Sequence, residues 1–169
     1  MNKSKNVLIT GGLGGIGINI CRYFIQKNFN IIIIDNLPNK LFSKKISDYS
    51  ILSKKNIILY KKIDLTKAIQ IKKLFHSLKK NYTSIDILIN CAGIQHVSSV
   101  EKYSEEMWEK VISVNLSSCF YTSKYTLPLM KKNKWGRIIN IASTHGQVAS
   151  VNKSGYVASK HGLVGLTKL

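Results

Sequence analysis

Tyr156 and Lys160 stand four residues apart near the end of the sequence, and Ser143 precedes them. At i and i+4 the tyrosine and the lysine share one face of a helix. Free tyrosine ionises at about pH 10 and is a poor base at neutral pH. An ammonium beside it stabilises the phenolate, giving a proton donor and acceptor matched to the interconversion of an alcohol and a carbonyl. Taken alone, Tyr-x-x-x-Lys is also an ordinary surface pair, and a single serine proves nothing. The pairing gains weight from what stands at the other end of the chain.

There, Thr10-Gly11-Gly12-Leu13-Gly14-Gly15-Ile16-Gly17 follows the first apolar run and opens the first helical pattern. Glycines let the backbone turn sharply and approach a pyrophosphate, which then rests on free N–H groups at a helix N-terminus. A simple strand-to-helix turn reads similarly, but the placement after the first strand favours a dinucleotide. Asp35 ends the second apolar run. A carboxylate there accepts from adenosine ribose hydroxyls and repels a 2′-phosphate, so NAD is expected over NADP. A cap or loop role for Asp35 stays open, and the surrounding lysines could neutralise an added phosphate.

Positioning these groups requires alternating strands and helices. Strand-like runs cover Asn6–Thr10, Asn30–Asp35, Ile57–Ile63, Ile85–Asn90 and Arg137–Ala142, nearly continuous in Ile, Val and Leu as strands covered on both faces are. Between them, Ile71, Leu74, Phe75 and Leu78 fall on one helical face. Ser104 with Glu105 and Glu106 reads as a helix start. A long helical stretch runs from there to Lys132, with a break expected near Asn115, and the last helix opens at about Ser154. The pattern predicts one α/β domain over residues 1–169, a doubly wound parallel sheet with Ser143 at the C-terminal end of the fifth strand, where ligands bind. The sequence stops within that last helix with no C-cap, so the domain is expected to be incomplete at its C-terminus. The fifth strand then has an exposed apolar edge, and the chain alone should be weakly folded and without useful activity.

Composition narrows the setting. No run approaches the roughly 18 apolar residues of a membrane span, and Met1 to Asn6 leave no room for a secretion signal before Val7. Cys21, Cys91 and Cys119 are odd in number and scattered, suggesting neither disulfides nor a metal site, and a cytoplasmic setting is expected. The net charge is +18, yet all 26 cations except Arg22 and Arg137 are lysines spread along the chain. That is read as a solvated surface, so no nucleic acid and no membrane is expected as partner.

The glycine spacing of Gly11, Gly15 and Gly17, together with Ser143, Tyr156 and Lys160 in this order, resembles the short-chain dehydrogenase/reductase family over the full chain. The resemblance implies that Tyr156 is the general acid/base and that Lys160 supports it and holds the nicotinamide ribose. It further implies that Ser143 orients the reacting oxygen and Asn115 positions a water in a proton relay. The cofactor set it implies is Gly11, Gly15, Ile16, Gly17, Asp35, Asp64, Leu65, Asn90, Ala92 and Gly93, with Tyr156 and Lys160. Asn90-Cys91-Ala92-Gly93 departs from the family's Asn-Asn-Ala-Gly at Cys91, and the backbone role of Ala92 and Gly93 should survive the change.

Asn90 to His96 and Gly136 to Thr167 are similar, within that family, to enzymes acting on D-3-hydroxybutyrate. In these, groups equivalent to Gln95, His145 and Lys153 bind the substrate carboxylate, beside Ser143 and Tyr156. A small β-hydroxy acid carries a charge that needs donors and a cation in a low-dielectric cleft. His76, His96 and His161 read as structural or surface residues. The resemblance implies an NAD-dependent oxidoreductase whose full-length relatives are homo-oligomeric. A reductase of carrier-bound 3-oxoacyl groups, and an inactive remnant, remain as alternatives.

Overall fold

The computed structural model describes residues 5–40, 42, 45, 58–81 and 84–169. Two β-branched runs, β1 (Asn6–Thr10) and β2 (Asn30–Asp35), form the centre of the sheet and pair in parallel, Val7 with Ile31 through Thr10 with Ile34. Around them lie β3 (Ile58–Lys62), β4 (Ile87–Asn90) and β5 (Arg137–Asn140), all parallel, in the order β3-β2-β1-β4-β5. The order reverses between β1 and β4, and the crevice beyond their C-terminal ends is where such a sheet binds ligands.

Alternation along the strands divides the core in two. Leu8, Ile32, Ile34 and Leu88 face α2 (Ala68–Asn81) and α4 (Ser118–Lys132) and pack with Ile71, Leu74, Phe75, Leu78, Leu129 and Met130. Val7, Ile9, Ile31, Ile33, Ile87 and Ile89 face α1 (Gly15–Gln26) and pack with Cys21 and Ile25. The four central isoleucines of β2 are fully buried, each such side chain contributing about 1.5–3 kcal/mol relative to exposure. None of the described helices is long and apolar enough to cross a membrane.

The stretch after Ser104 differs from expectation. Ser104 does cap α3 (Glu105–Ile112), its Oγ accepting from Met107 N–H at 3.3 Å. No break follows. Helical backbone continues through a π-turn, Ser113–Ser117, directly into α4, so the extra residue near Asn115 is absorbed as a bulge. The last helix, α5 (Ser154–Thr167), runs for 14 residues, and the Lys168 N–H bonds Gly165 O at 3.1 Å. β5 is the outermost strand on its side, and Ile139 is 43% exposed.

A line of side-chain hydrogen bonds ties four elements together across the sheet's C-terminal end. Thr122 Oγ1 on α4 donates to Asn90 Oδ1 (2.7 Å), Asn90 Nδ2 to Asn140 Oδ1 (2.8 Å), and Asn140 Nδ2 to Thr167 Oγ1 on α5 (2.9 Å). Thr122 and Asn90 are buried, so removing one partner strands an amide oxygen away from water. Thr122→Val, which keeps the shape, should destabilise the chain by about 1–3 kcal/mol in urea unfolding, with an unchanged dependence on denaturant concentration.

Candidate active site

The loop leaving β1 is folded so tightly that only glycine fits two of its positions. Gly11 has φ +65°, and a Cβ there would stand 2.7 Å from Ala92 Cα. A Cβ on Gly17 would fall on the Gly11 carbonyl oxygen and 2.8 Å from Gly12 Cα. Nothing lies within 4 Å of the corresponding point at Gly15, and the Ile16 side chain beside it is 62% exposed. Thr10 Oγ1 accepts from the N–H groups of Cys91 (3.1 Å) and Ala92 (3.2 Å), joining the exits of β1 and β4.

Asp35 is bound into this loop. Its Oδ2 accepts from Leu13 N–H (3.0 Å), and Oδ1 accepts from Asn36 N–H (2.9 Å) and Leu37 N–H (3.3 Å). Lys45 Nζ donates to the Leu13 carbonyl at 2.7 Å. On the far wall, the Thr66 hydroxyl and N–H hold the Asp64 carboxyl below the usual carboxylate range, bonding its Oδ1 at 2.7 and 2.9 Å. Leu65 is buried beside it. Glycine loop, Asp35, Asp64, Leu65, Ala92 and Gly93 together line one cleft of about 1100 Å³. Asn90 lies beneath it, buried in β4. Free N–H groups at the start of α1, a close backbone and two carboxylates lining the cleft suit an adenine dinucleotide.

Burial pushes the Cys21 thiol up to about 12 and the Cys119 thiol to about 11, and it raises that of Cys91 as well. None of the three is poised as a nucleophile at neutral pH.

The proton-handling groups gather where β4, β5, the π-turn and α5 meet. Lys160 is only 4% exposed; its Nζ donates to Ile141 O at 2.7 Å and lies 5.7 Å from the centre of the Tyr156 ring. A Cβ on Gly93 would stand 3.7 Å from both Lys160 Nζ and Asn115 Oδ1, which puts these side chains at the cleft's inner end. Asn115 is fully buried. Its Oδ1 accepts from Ile94 N–H (2.9 Å), and its Nδ2 donates to Ile94 O (2.9 Å) and Ser159 Oγ (3.0 Å). Ser159 Oγ in turn donates to Tyr156 O at 2.8 Å. Ser143 caps a 3-10 turn, Thr144–Gly146, and its Oγ accepts from His145 N–H at 3.2 Å. His145 meets Tyr156 edge-on, ring centres 5.9 Å apart. Ser143, His145, Tyr156, Lys160 and Asn115 are thus brought together.

The model of the short chain dehydrogenase family matches residues 5–169. The chain belongs to that family. It is 40% identical over 169 residues to a D-beta-hydroxybutyrate dehydrogenase of Cupriavidus necator, covering 100% of this chain and 64% of that relative. A D-beta-hydroxybutyrate dehydrogenase of Rhizobium meliloti is also 40% identical, over 98% of this chain and 64% of its own length. Among solved structures, 4-hydroxyisoleucine dehydrogenase complexed with NADH superposes with a TM-score of 0.87 at 37% identity, over 98% of this chain and 65% of that one. The chain therefore spans about two thirds of the length of these relatives.

Lys153 precedes α5 as its half-buried cap residue. Gln95 is exposed on the loop after β4, and among the described residues no hydrogen bond joins either side chain to the Ser143 cluster. Thr10, Ser159 and Thr122 escape a reading of the sequence. Thr10 directly precedes the glycine loop, and Ser159 lies one residue before Lys160; those adjacencies are the only sign of them. Gly17→Ala should cost about 1–3 kcal/mol of stability because backbone must move, whereas Gly15→Ala should change it by less than about 0.5 kcal/mol, both read from urea midpoints.

Proposed function

We propose that this chain carries the cofactor and proton-transfer machinery of an NAD-dependent oxidoreductase that interconverts D-3-hydroxybutyrate and acetoacetate. One observation supports the proposal: Lys160, beside the Tyr156 ring that His145 meets edge-on, reaches to Gly93 on the wall of the cleft built from the glycine loop and Asp35. The similarity to D-beta-hydroxybutyrate dehydrogenases and to an NADH-complexed dehydrogenase supports the substrate and the cofactor.

The residues present fit the cofactor, since the loop at Gly11 and Gly17 leaves no space for a Cβ and brings backbone up to the cleft. Gly11, Gly15, Ile16 and Gly17 would hold the pyrophosphate, Asp35 the adenosine ribose, and Asp64 with Leu65 the adenine. Asn90, Ala92 and Gly93 form the floor, and Lys160 keeps donors for the nicotinamide ribose beyond its bond to Ile141. NAD, when bound, supplies the hydride acceptor. Tyr156 takes the hydroxyl proton of the substrate while Ser143 donates to the same oxygen and fixes its position. In the reverse direction Tyr156 returns that proton to the carbonyl oxygen. Asn115, tied to Ile94 and Ser159, holds the helix bulge that aims α5, and through it Tyr156 and Lys160, at the cleft. His145, Lys153 and Gln95 would receive the carboxylate, which needs charge-assisted bonds once out of water.

The test is reduction of NAD by D-3-hydroxybutyrate, run on this chain and on a longer relative in parallel. NAD should bind at least about tenfold more tightly than NADP, because a carboxylate at the ribose excludes a 2′-phosphate; equal affinities would remove the cofactor assignment. Tyr156→Phe should lower kcat by about 100-fold or more with NAD affinity nearly unchanged. A variant that kept a tenth of the rate would rule Tyr156 out as the acid/base.

Lys153 is tested separately. Lys153→Ala should raise KM for D-3-hydroxybutyrate by about tenfold or more, the loss of one charged hydrogen bond, with little change for a neutral secondary alcohol of similar size. An equal loss for both would assign Lys153 to structure.

A further inference from the structure

Nδ1 of His145 lies 3.4 Å from Ser143 Oγ, the same oxygen that accepts the His145 N–H. The turn that carries them is clamped against α5. A Cβ on Gly146 would stand 2.9 Å from the Lys160 carbonyl oxygen and 2.8 Å from Val164 Cγ2, so the turn packs backbone-close on the helix. With Tyr156 against its edge, the ring is held between the serine and the tyrosine.

A seryl hydroxyl has one proton and two lone pairs, and a neutral imidazole has one N–H and one acceptor nitrogen. One lone pair of Ser143 takes the His145 N–H. If the hydroxyl proton goes to Nδ1, the imidazole must carry its own proton on Nε2, since the bond made at one ring nitrogen selects the tautomer at the other. We propose that His145 is a positioning residue coupling the two halves of the substrate site: Ser143 fixes Nδ1 as an acceptor, and Nε2–H is thereby presented as a donor to the substrate carboxylate. This rests on the substrate reading given above, while the Ser143–His145 link itself does not. The residue that grips the reacting oxygen then also sets the affinity for the far end of the substrate. When the reacting oxygen competes for the Ser143 proton, the hold on the carboxylate changes with it.

Butyrate separates the two roles, because it has the carboxylate and no oxygen at its third carbon for Ser143 to touch. Titrated into the NADH-loaded chain, butyrate should bind Ser143→Ala about threefold to tenfold more weakly than the unsubstituted protein, the effect of one hydrogen bond. Ser143→Thr, which keeps the hydroxyl, should restore the affinity. His145→Gln supplies an amide donor near the Nε2 position and nothing at Nδ1. In that background Ser143→Ala still removes the cap of the turn but should leave butyrate binding unchanged.

An independent reading comes from ¹⁵N spectra of the ligand-free chain at about pH 8, above the usual histidine range. Nδ1 should be an unprotonated, hydrogen-bonded nitrogen, and Ser143→Ala should shift it toward the free-acceptor position. An unmoved Nδ1 signal, or an equal butyrate loss with and without His145→Gln, overturns the coupling. An Nδ1 response without any butyrate binding leaves the Ser143–His145 link standing and sinks the carboxylate reading instead.

Discussion

One hydroxyl, that of Thr10, accepts hydrogen bonds from the N–H groups of both Cys91 and Ala92, and the cleft depends on that closure. Parallel strands diverge beyond their last ladder bond, and the loops leaving β1 and β4 would separate as well. The Thr10 bonds hold them so near that Gly11 must be glycine against Ala92. The glycine loop is thereby set on one side of the switch point and Gly93, with Asn115 and Lys160 behind it, on the other. A single floor then serves both the nucleotide end and the proton-transfer end. Because Cys91 and Ala92 are held through their N–H groups, the side chain at position 91 carries none of this load, which is the physical reason a cysteine can stand there.

Polar groups buried behind the cleft do the remaining positioning. An ammonium removed from water as far as that of Lys160 needs fixed acceptors, and the Ile141 carbonyl, at the point where β5 ends, provides one. Asn115 satisfies every polar atom of its amide against Ile94 and Ser159, a complete network of the kind that fixes one arrangement and resists rearrangement. The π-turn follows from it. Widening the helix by one residue at Ser113–Ser117 turns the Asn115 side chain inward to reach both the β4 exit loop and α5.

Much of the architecture was readable from residue patterning. β1 and β2 coincide with their apolar runs because both are inner strands, β1 buried throughout and β2 at all four isoleucines. β4 starts later than its run, although Ile85 stays in the core and Asp86 bonds Asn6 twice, its N–H giving to Asn6 O at 2.9 Å and its carboxylate taking the Asn6 N–H at 2.7 Å. β5 ends at Asn140, opposite Asn90 at the end of β4, and the Ile141 N–H makes the last bond between them, to Asn90 O at 2.9 Å. The expected start of β3 at Ile57 lies outside the described residues. The helix break expected near Asn115 does not occur, because the Asn115 amide is held by Ile94 and Ser159, partners distant in sequence. Of the site, residues marked by spacing were legible: the glycines, Asp35, and the Tyr156/Lys160 pair. Thr10, Thr122 and Ser159 were not, since a small hydroxyl side chain has no pattern of its own and its role is defined only by what the fold brings to it.

The bonding of Asp35 bears on how this protein could change over evolutionary time. Its carboxylate accepts three backbone N–H groups, one of them from Leu13 inside the glycine loop. In a site where the discriminating acid stood clear of the backbone, a switch of nucleotide preference would require one replacement. Here an apolar replacement releases those N–H groups along with the charge, and the glycine loop keeps only its Gly11 N–H bond to Ile34 O (2.7 Å) as a tie to β2 while losing the one at Leu13. A lineage drifting toward the phosphorylated cofactor must therefore first acquire a second anchor for Leu13. The Lys45 ammonium already bonds the carbonyl of that residue, which makes it the nearest starting point for such a path.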